Sequence, residues 1–255
     1  MVKLIVAVLL ISCYLGLSLA DSPRRGRILS HNKTIVNCAK FGRAANQHTC
    51  VLAPFAEEGP FYVPDNPLRS DTIDGEPGIP LELTIQLTDS RDCSPLSGLY
   101  VHIWSANATG NYSGVNESDF DTPGELRVKT VYASRSLRGH QITDKNGIVT
   151  FKTIIPGWYP GRTMHTHIEV YPENETDVDR VTFIGQFYFP RDYALRLKKQ
   201  YPYSLNKNPI TVNNDDDDYV NAGGKDTILN IVPDEKGWRT FFTMAIDPTV
   251  IIHAF

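Results

Sequence analysis

From Tyr159 to His167 the chain reads Tyr-Pro-Gly-Arg-Thr-Met-His-Thr-His, which gathers a phenol, a guanidinium and two imidazoles within nine residues. On a β-strand, residues two apart project to the same face. His165 and His167 therefore aim both rings at one point, while Thr166 and Ile168 face the other way. Such a pair is either two ligands to one metal or two half-exposed strand histidines. Tyr159, on the turn that enters this strand, can reach the same point. A second tyrosine, Tyr112, lies in a loop that follows another strand-like run, Leu99-Tyr-Val-His-Ile-Trp104.

The tyrosines narrow the chemistry. An unperturbed phenol titrates at about 10, so it ionises near neutral pH only where a strong Lewis acid takes its oxygen. Ferric iron is such an ion. Two phenolates and two neutral imidazoles offset two of its three charges and leave a coordination position open. Zinc would instead draw Cys, His and carboxylate donors. Tyr112, Tyr159, His165 and His167 are thus candidate ligands of one Fe(III) per chain, with Arg162 a fixed cation beside them. The acidic run Asp215–Asp218 lacks the spacing and glycine of a calcium loop and reads as a solvated surface loop.

The elements that must position these groups are strands. Leu81-Glu-Leu-Thr-Ile-Gln-Leu87 alternates strictly, as a half-buried strand does. Leu99–Trp104, Gly147–Ile155, His165–Tyr171, Thr182–Phe189 and Arg239–Ile246 are further strands, separated by turn-rich segments. Helical periodicity is scarce, with one short helix expected within Asp192–Gln200. The reading is an all-β fold: one β-sandwich over residues 80–255, with long loops and little helix, preceded by an extended N-terminal arm over 21–79.

The start of the chain sets the compartment. Lys3, the apolar run Leu4–Leu19 and the small residues up to Ala20 match a secretory signal peptide over residues 1–20. No other stretch is apolar enough to cross a bilayer, so no membrane partner is expected. A net charge of −4 without a large basic block argues against nucleic acid. Arg24–Arg27 reads as part of a flexible arm. In a secreted chain the sequons at Asn32, Asn107, Asn111, Asn116 and Asn174 are candidate N-glycan sites. Cys38, Cys50 and Cys93 can then form one disulfide with one thiol left over, and their spacing does not decide the pairing.

Several short motifs occur in order: Glu58-Gly-Pro-Phe-Tyr62, Trp104 with Gly110-x-Tyr112, Arg138-Gly-x-Gln141-x-Thr143-Asp144-x-x-Gly147, Pro156-Gly-Trp-Tyr159, Arg162-x-x-His165-x-His167 and Gly185-Gln-Phe-Tyr-Phe189. Together, from about Cys50 to Tyr219, they resemble the intradiol ring-cleavage dioxygenases, the group of protocatechuate 3,4-dioxygenase and catechol 1,2-dioxygenase, in their secreted single-domain form. The resemblance implies that Tyr112, Tyr159, His165 and His167 hold Fe(III), that Tyr159 leaves the iron when substrate chelates, and that Arg162 and Gln186 line the substrate site. It implies a catecholic substrate and O2, with a cis,cis-muconate-type product. The chain lacks the long helical N-terminal region through which the catechol 1,2-dioxygenases dimerise, so a monomer is expected. Thr166 stands where the family usually has isoleucine. Competing readings are a secreted copper oxidase with two tyrosines and two histidines, and a non-enzymatic β-sandwich that binds small aromatics.

Overall fold

The computed structural model describes residues 51–116, 128–172, 180–235 and 237–253. The signal-like segment, Asn32, Cys38, Cys50 and Asn174 lie outside them. Among the described residues eleven strands and two short α-helices follow one another: β1 (Val51–Leu52), β2 (Pro80–Asp89), β3 (Tyr100–Ser105), β4 (Arg138–Ile142), β5 (Ile148–Ile154), β6 (His165–Tyr171), β7 (Arg180–Val181), β8 (Phe183–Tyr188), α1 (Tyr193–Leu197), α2 (Asp217–Asn221), β9 (Val232–Asp234), β10 (Gly237–Ile246) and β11 (Ile252–His253). The expected all-β sandwich is what forms, and α1 falls inside Asp192–Gln200. Among the described residues no helix is long and apolar enough to cross a membrane.

One sheet runs β1-β10-β2-β5, with β9 on the edge of β10; the second runs β4-β3-β6-β8. The second is antiparallel throughout, whereas β10 enters the first sheet parallel to both β1 and β2. The alternation in β2 sends Leu81, Leu83, Ile85 and Leu87 inward, and all four are buried. They meet Val101 and Ile103 of β3, Ile168 and Val170 of β6, and Phe187 of β8 in one apolar layer between the sheets. Burial of this kind contributes about 25 cal/mol per Å² of apolar surface. The turn into β5 needs its glycine. Gly147 sits at φ +73°, and a Cβ there would stand 2.3 Å from the Leu87 carbonyl oxygen. Asp144 Oδ1 accepts from the N–H groups of Asn146 and Ile148, both at 2.8 Å, and closes the same turn.

The outer face of the second sheet is not a solvent face. Every residue of β6 is buried, including the polar set His165, His167 and Glu169. The segment before β2 covers them: Phe61, Tyr62 and Val63 pack on Trp104, Tyr171 and Ile184. Backbone bonds from Ala56 to Ile184 and from Arg69 to His140 tie this cover down. The sandwich thus has a second buried layer, polar on one side and aromatic on the other. Cys93 stands in a disulfide whose partner lies outside the described residues.

Candidate metal and active site

The four groups read from the sequence meet in this second layer. The β6 pleat points His165 and His167 the same way, and their Nε2 atoms lie 3.1 Å apart. Tyr112 Oη is 3.2 Å from His167 Nε2 and 3.4 Å from His165 Nε2. Tyr159 Oη is 3.3 Å from His165 Nε2. Thr166, between the histidines, lies on the opposite side of the strand. Donor atoms at these separations can share one cation at about 2 Å from each, an ordinary bond length for imidazole nitrogen and anionic oxygen. Among the described residues no group of three His, Cys, Asp or Glu side chains gathers elsewhere as it would around zinc or calcium. The cluster reaches four donors only through its phenols.

Local contacts prepare each donor. His165 Nδ1 lies 2.7 Å from the Thr163 carbonyl. That carbonyl can only accept, so Nδ1 carries the proton and Nε2 presents a lone pair, the arrangement of a metal-binding imidazole. Burial pushes both histidines well below the usual imidazole pKa, so both are neutral. Trp104 stacks on His167, with centroids 4.7 Å apart and planes 3° from parallel. Phe61 stacks on Tyr112 at 4.5 Å. Burial also raises both phenols above their ordinary value, so ionising them needs a cation in their midst.

Tyr112 is placed by a tight loop. Gly110 lies at φ +91°, where a Cβ would come within 2.3 Å of the Trp158 carbonyl oxygen. Only glycine lets the Tyr112 loop and the Tyr159 turn approach this closely. Arg138, at the start of β4 and fully buried, donates from Nη1 to the Phe61 carbonyl at 2.7 Å and from Nε and Nη2 to the Ser113 carbonyl. It clamps the cover and the Tyr112 loop to the sheet. Burial lowers Arg138 to about 10, which leaves it a cation at neutral pH.

Arg162 and Gln186 stand beside the donors. Arg162 Nη1 donates to Tyr159 Oη at 3.3 Å, and Nη2 donates to Gln186 Oε1 at 2.5 Å. Gln186 Oε1 also accepts from Tyr188 Oη at 2.8 Å, and Gln186 Nε2 donates to the Glu57 carbonyl at 3.1 Å. Here the structure corrects the reading of Asp215–Asp218 as a solvated loop. Asp216 is fully buried and accepts from Arg162 Nε at 3.1 and 3.2 Å, and Asp218 pairs with Arg162 Nη1 at 2.9 Å. Asp216 also caps α2, accepting from the N–H groups of Asp218 and Tyr219, and takes the Thr163 N–H. Burial alone would lower Arg162, but Tyr159, Asp216 and Asp218 outweigh it and hold the guanidinium firmly charged. The one sequence signal for Asp216 was an aspartate before acidic first-turn residues, the pattern of a helix N-cap.

The Dioxygenase family model matches residues 57–199, more than half of the chain. An intradiol ring-cleavage dioxygenase from Tetranychus urticae is 32% identical and superposes with a TM-score of 0.69 over 79% of this chain and 96% of its own. The chain belongs to the intradiol ring-cleavage dioxygenase family. A dioxygenase domain from a carbohydrate-binding fusion protein of Streptomyces sp. SirexAA-E shares the fold at 26% identity, with a TM-score of 0.54 over 77% and 98% of the two chains. A catechol 1,2-dioxygenase of Candida albicans is 32% identical over 108 residues, 40% of this chain. That match spans 31% of the Candida protein. As a member of the intradiol ring-cleavage dioxygenase family, this chain places its four-donor cluster inside residues 57–199, which the family model matches, whereas Asp216 and Asp218, which hold Arg162, lie beyond that end.

Proposed function

We propose that this chain is a secreted, ferric-iron-dependent intradiol dioxygenase that cleaves catechols with O2 between the two hydroxylated carbons, giving cis,cis-muconate-type products. The observation that carries the reading is the convergence of two phenol oxygens and two imidazole nitrogens within 3.1–3.4 Å in a buried layer. This donor set fits ferric iron: the oxygens are hard and anionic once ionised, and the imidazoles are neutral. Iron held there would supply Lewis acidity, which makes a chelated catechol reactive toward dioxygen.

The chain's own groups divide the remaining work. Tyr112, His165 and His167 are locked by stacking and by the Thr163 carbonyl, so they are the permanent holders. Tyr159 is half-buried and already hydrogen-bonded to Arg162, so its oxygen has a partner when it leaves the cluster. Released, Tyr159 Oη can take a catechol proton, which removes the need for a separate base. Arg162 keeps a fixed positive charge beside the reacting ring, and Gln186 and Asp216 fix its orientation. The cover formed by Phe61 and Tyr62 keeps bulk water from the sealed side.

The test is spectroscopic and kinetic. The iron-loaded protein is expected to be red to brown from phenolate-to-iron charge transfer. Tyr159→Phe is expected to shift or weaken that band and to slow turnover by about 10²-fold, the low end for losing a proton acceptor. A colourless, iron-free preparation fully active on catechol would overturn the reading. Stoichiometric copper in place of iron would favour an oxidase instead.

Secretion rests on the N-terminal pattern and the sequons, and the described sequons sort by geometry. Asn107 is engaged inside its loop: Oδ1 accepts from the Thr109 and Asn111 N–H groups and from the Thr109 hydroxyl. Asn111 is exposed. Expressed through a secretory pathway, the protein is expected to carry a glycan at Asn111, removed by Asn111→Gln, and none at Asn107. Peptide mass mapping before and after deglycosylation reads this directly. Glycan on Asn107 with Asn111 bare would contradict it.

A further inference from the structure

The open side of the site carries an acid that the reaction does not need. Tyr112, His165 and His167 are sealed, at 5%, 2% and 1% exposure. Tyr159 is half-buried, and beside it the side chains of Arg162 and Asp218 keep 16% and 22% of their surface. The Tyr159–Arg162–Asp218 edge is thus less closed to solvent than the Tyr112–His165–His167 side.

The two aspartates on Arg162 differ. Asp216 is fully buried, and its oxygens are committed to Arg162 Nε and three backbone N–H groups. Asp218 holds Arg162 Nη1 at 2.9 Å and still faces water. That same Nη1 is the atom that donates to Tyr159. Within this trio one guanidinium faces two carboxylates. A ring substituent entering along this edge would meet the Asp218 carboxylate, and Arg162 Nη1 is already shared between Asp218 and Tyr159.

Resting on the reading of this cluster as a catechol site, we infer that Asp218 is a specificity residue that selects catechols with neutral ring substituents against those bearing a ring carboxylate. Two effects act in the same direction. Asp218 repels a like charge at the rim, and it occupies the cation that could otherwise pair with that charge.

The test compares two substrates of one shape, 3,4-dihydroxybenzoate and 3,4-dihydroxybenzamide, on iron-loaded wild type and Asp218→Asn. In the variant the carboxylate-to-amide ratio of kcat/KM, from oxygen uptake, is expected to rise about tenfold, as for removal of one of two like charges several ångströms apart at a hydrated rim. Binding of 4-hydroxybenzoate against 4-hydroxybenzamide, read from the visible absorption change, is expected to shift alike. In wild type, the same binding preference is expected to narrow as ionic strength rises. Asp218→Ser repeats the measurement with a smaller side chain. Ratios unchanged in both variants, or a wild-type preference insensitive to salt, would overturn the inference. If the protein binds these ligands but consumes no oxygen, the proposed activity fails, and the binding ratios still decide the role of Asp218.

Discussion

Replacing His165 with alanine is expected to abolish the proposed iron binding and the proposed activity together. The imidazole stands at the centre of the cluster: its Nε2 lies within 3.4 Å of three other donor atoms, those of Tyr112, Tyr159 and His167. The Thr163 carbonyl fixes its tautomer, so no ring flip or protonation change is needed before it binds. Losing an outer partner of a metal ligand costs about 10–100-fold in metal affinity, and losing the ligand itself costs more. Iron per chain is expected to drop from about one to below about a tenth, and turnover by more than 10²-fold. Elemental analysis and oxygen uptake on one sample check both. His165→Ala with full iron and full turnover would show that the cluster is not the metal site.

The second large effect is expected at a residue that touches no donor atom. Asp216→Ala leaves Arg162 and the Thr163 N–H without their fully buried acceptor. If Asp216 were only the N-cap of α2, its removal would cost about 1 kcal/mol. Breaking a buried ion pair costs about 3–5 kcal/mol, and because Asp218 still faces Arg162 the low end, about 3 kcal/mol, is expected here. At about 2–4 °C per kcal/mol for a domain of this size, the melting temperature is expected to fall by about 10 °C. Turnover is expected to drop by about 10²-fold, because Arg162 loses the anchor that aims it at Tyr159 and Gln186. Asp216→Asn keeps an acceptor but not the charge and should fall between. A melting temperature within about 3 °C of wild type would reduce Asp216 to a helix cap.

The strands that alternate most strictly were legible. β2 and β6 form where the period-two pattern places them, and β3, β5, β8 and β10 lie within a residue or two of expectation. β4 was not legible as a strand. Arg-Gly-His-Gln-Ile shows no apolar alternation, because its outer face meets a buried polar layer instead of water or a hydrophobic core. The same layer explains why His102, His140 and Glu169 are buried although polarity would place them at a surface. The period of a strand tells which residues share a face, and it is silent on what covers that face.

The role of Asp216 was hidden for a related reason. It lies 54 residues from Arg162 in a run of four aspartates, where a charge cluster is normally solvated. Its N-cap pattern marks Asp216 as a helix start, but nothing local marks it as buried while its neighbours Asp215 and Asp217 are exposed. What the sequence by itself determined is the donor types: two imidazoles held to one face by the two-residue repeat of a strand, and phenols, the hard oxygen donors on which the proposal of ferric iron rests. Those properties depend on residue type and near spacing, which the chain carries locally. What only the tertiary structure decided is which distant carboxylates hold the arginine, which loop brings Tyr112 to β6, and which edge stays open to solvent. These follow from contacts between segments far apart in the chain, and their energy comes from mutual burial, which no local pattern encodes.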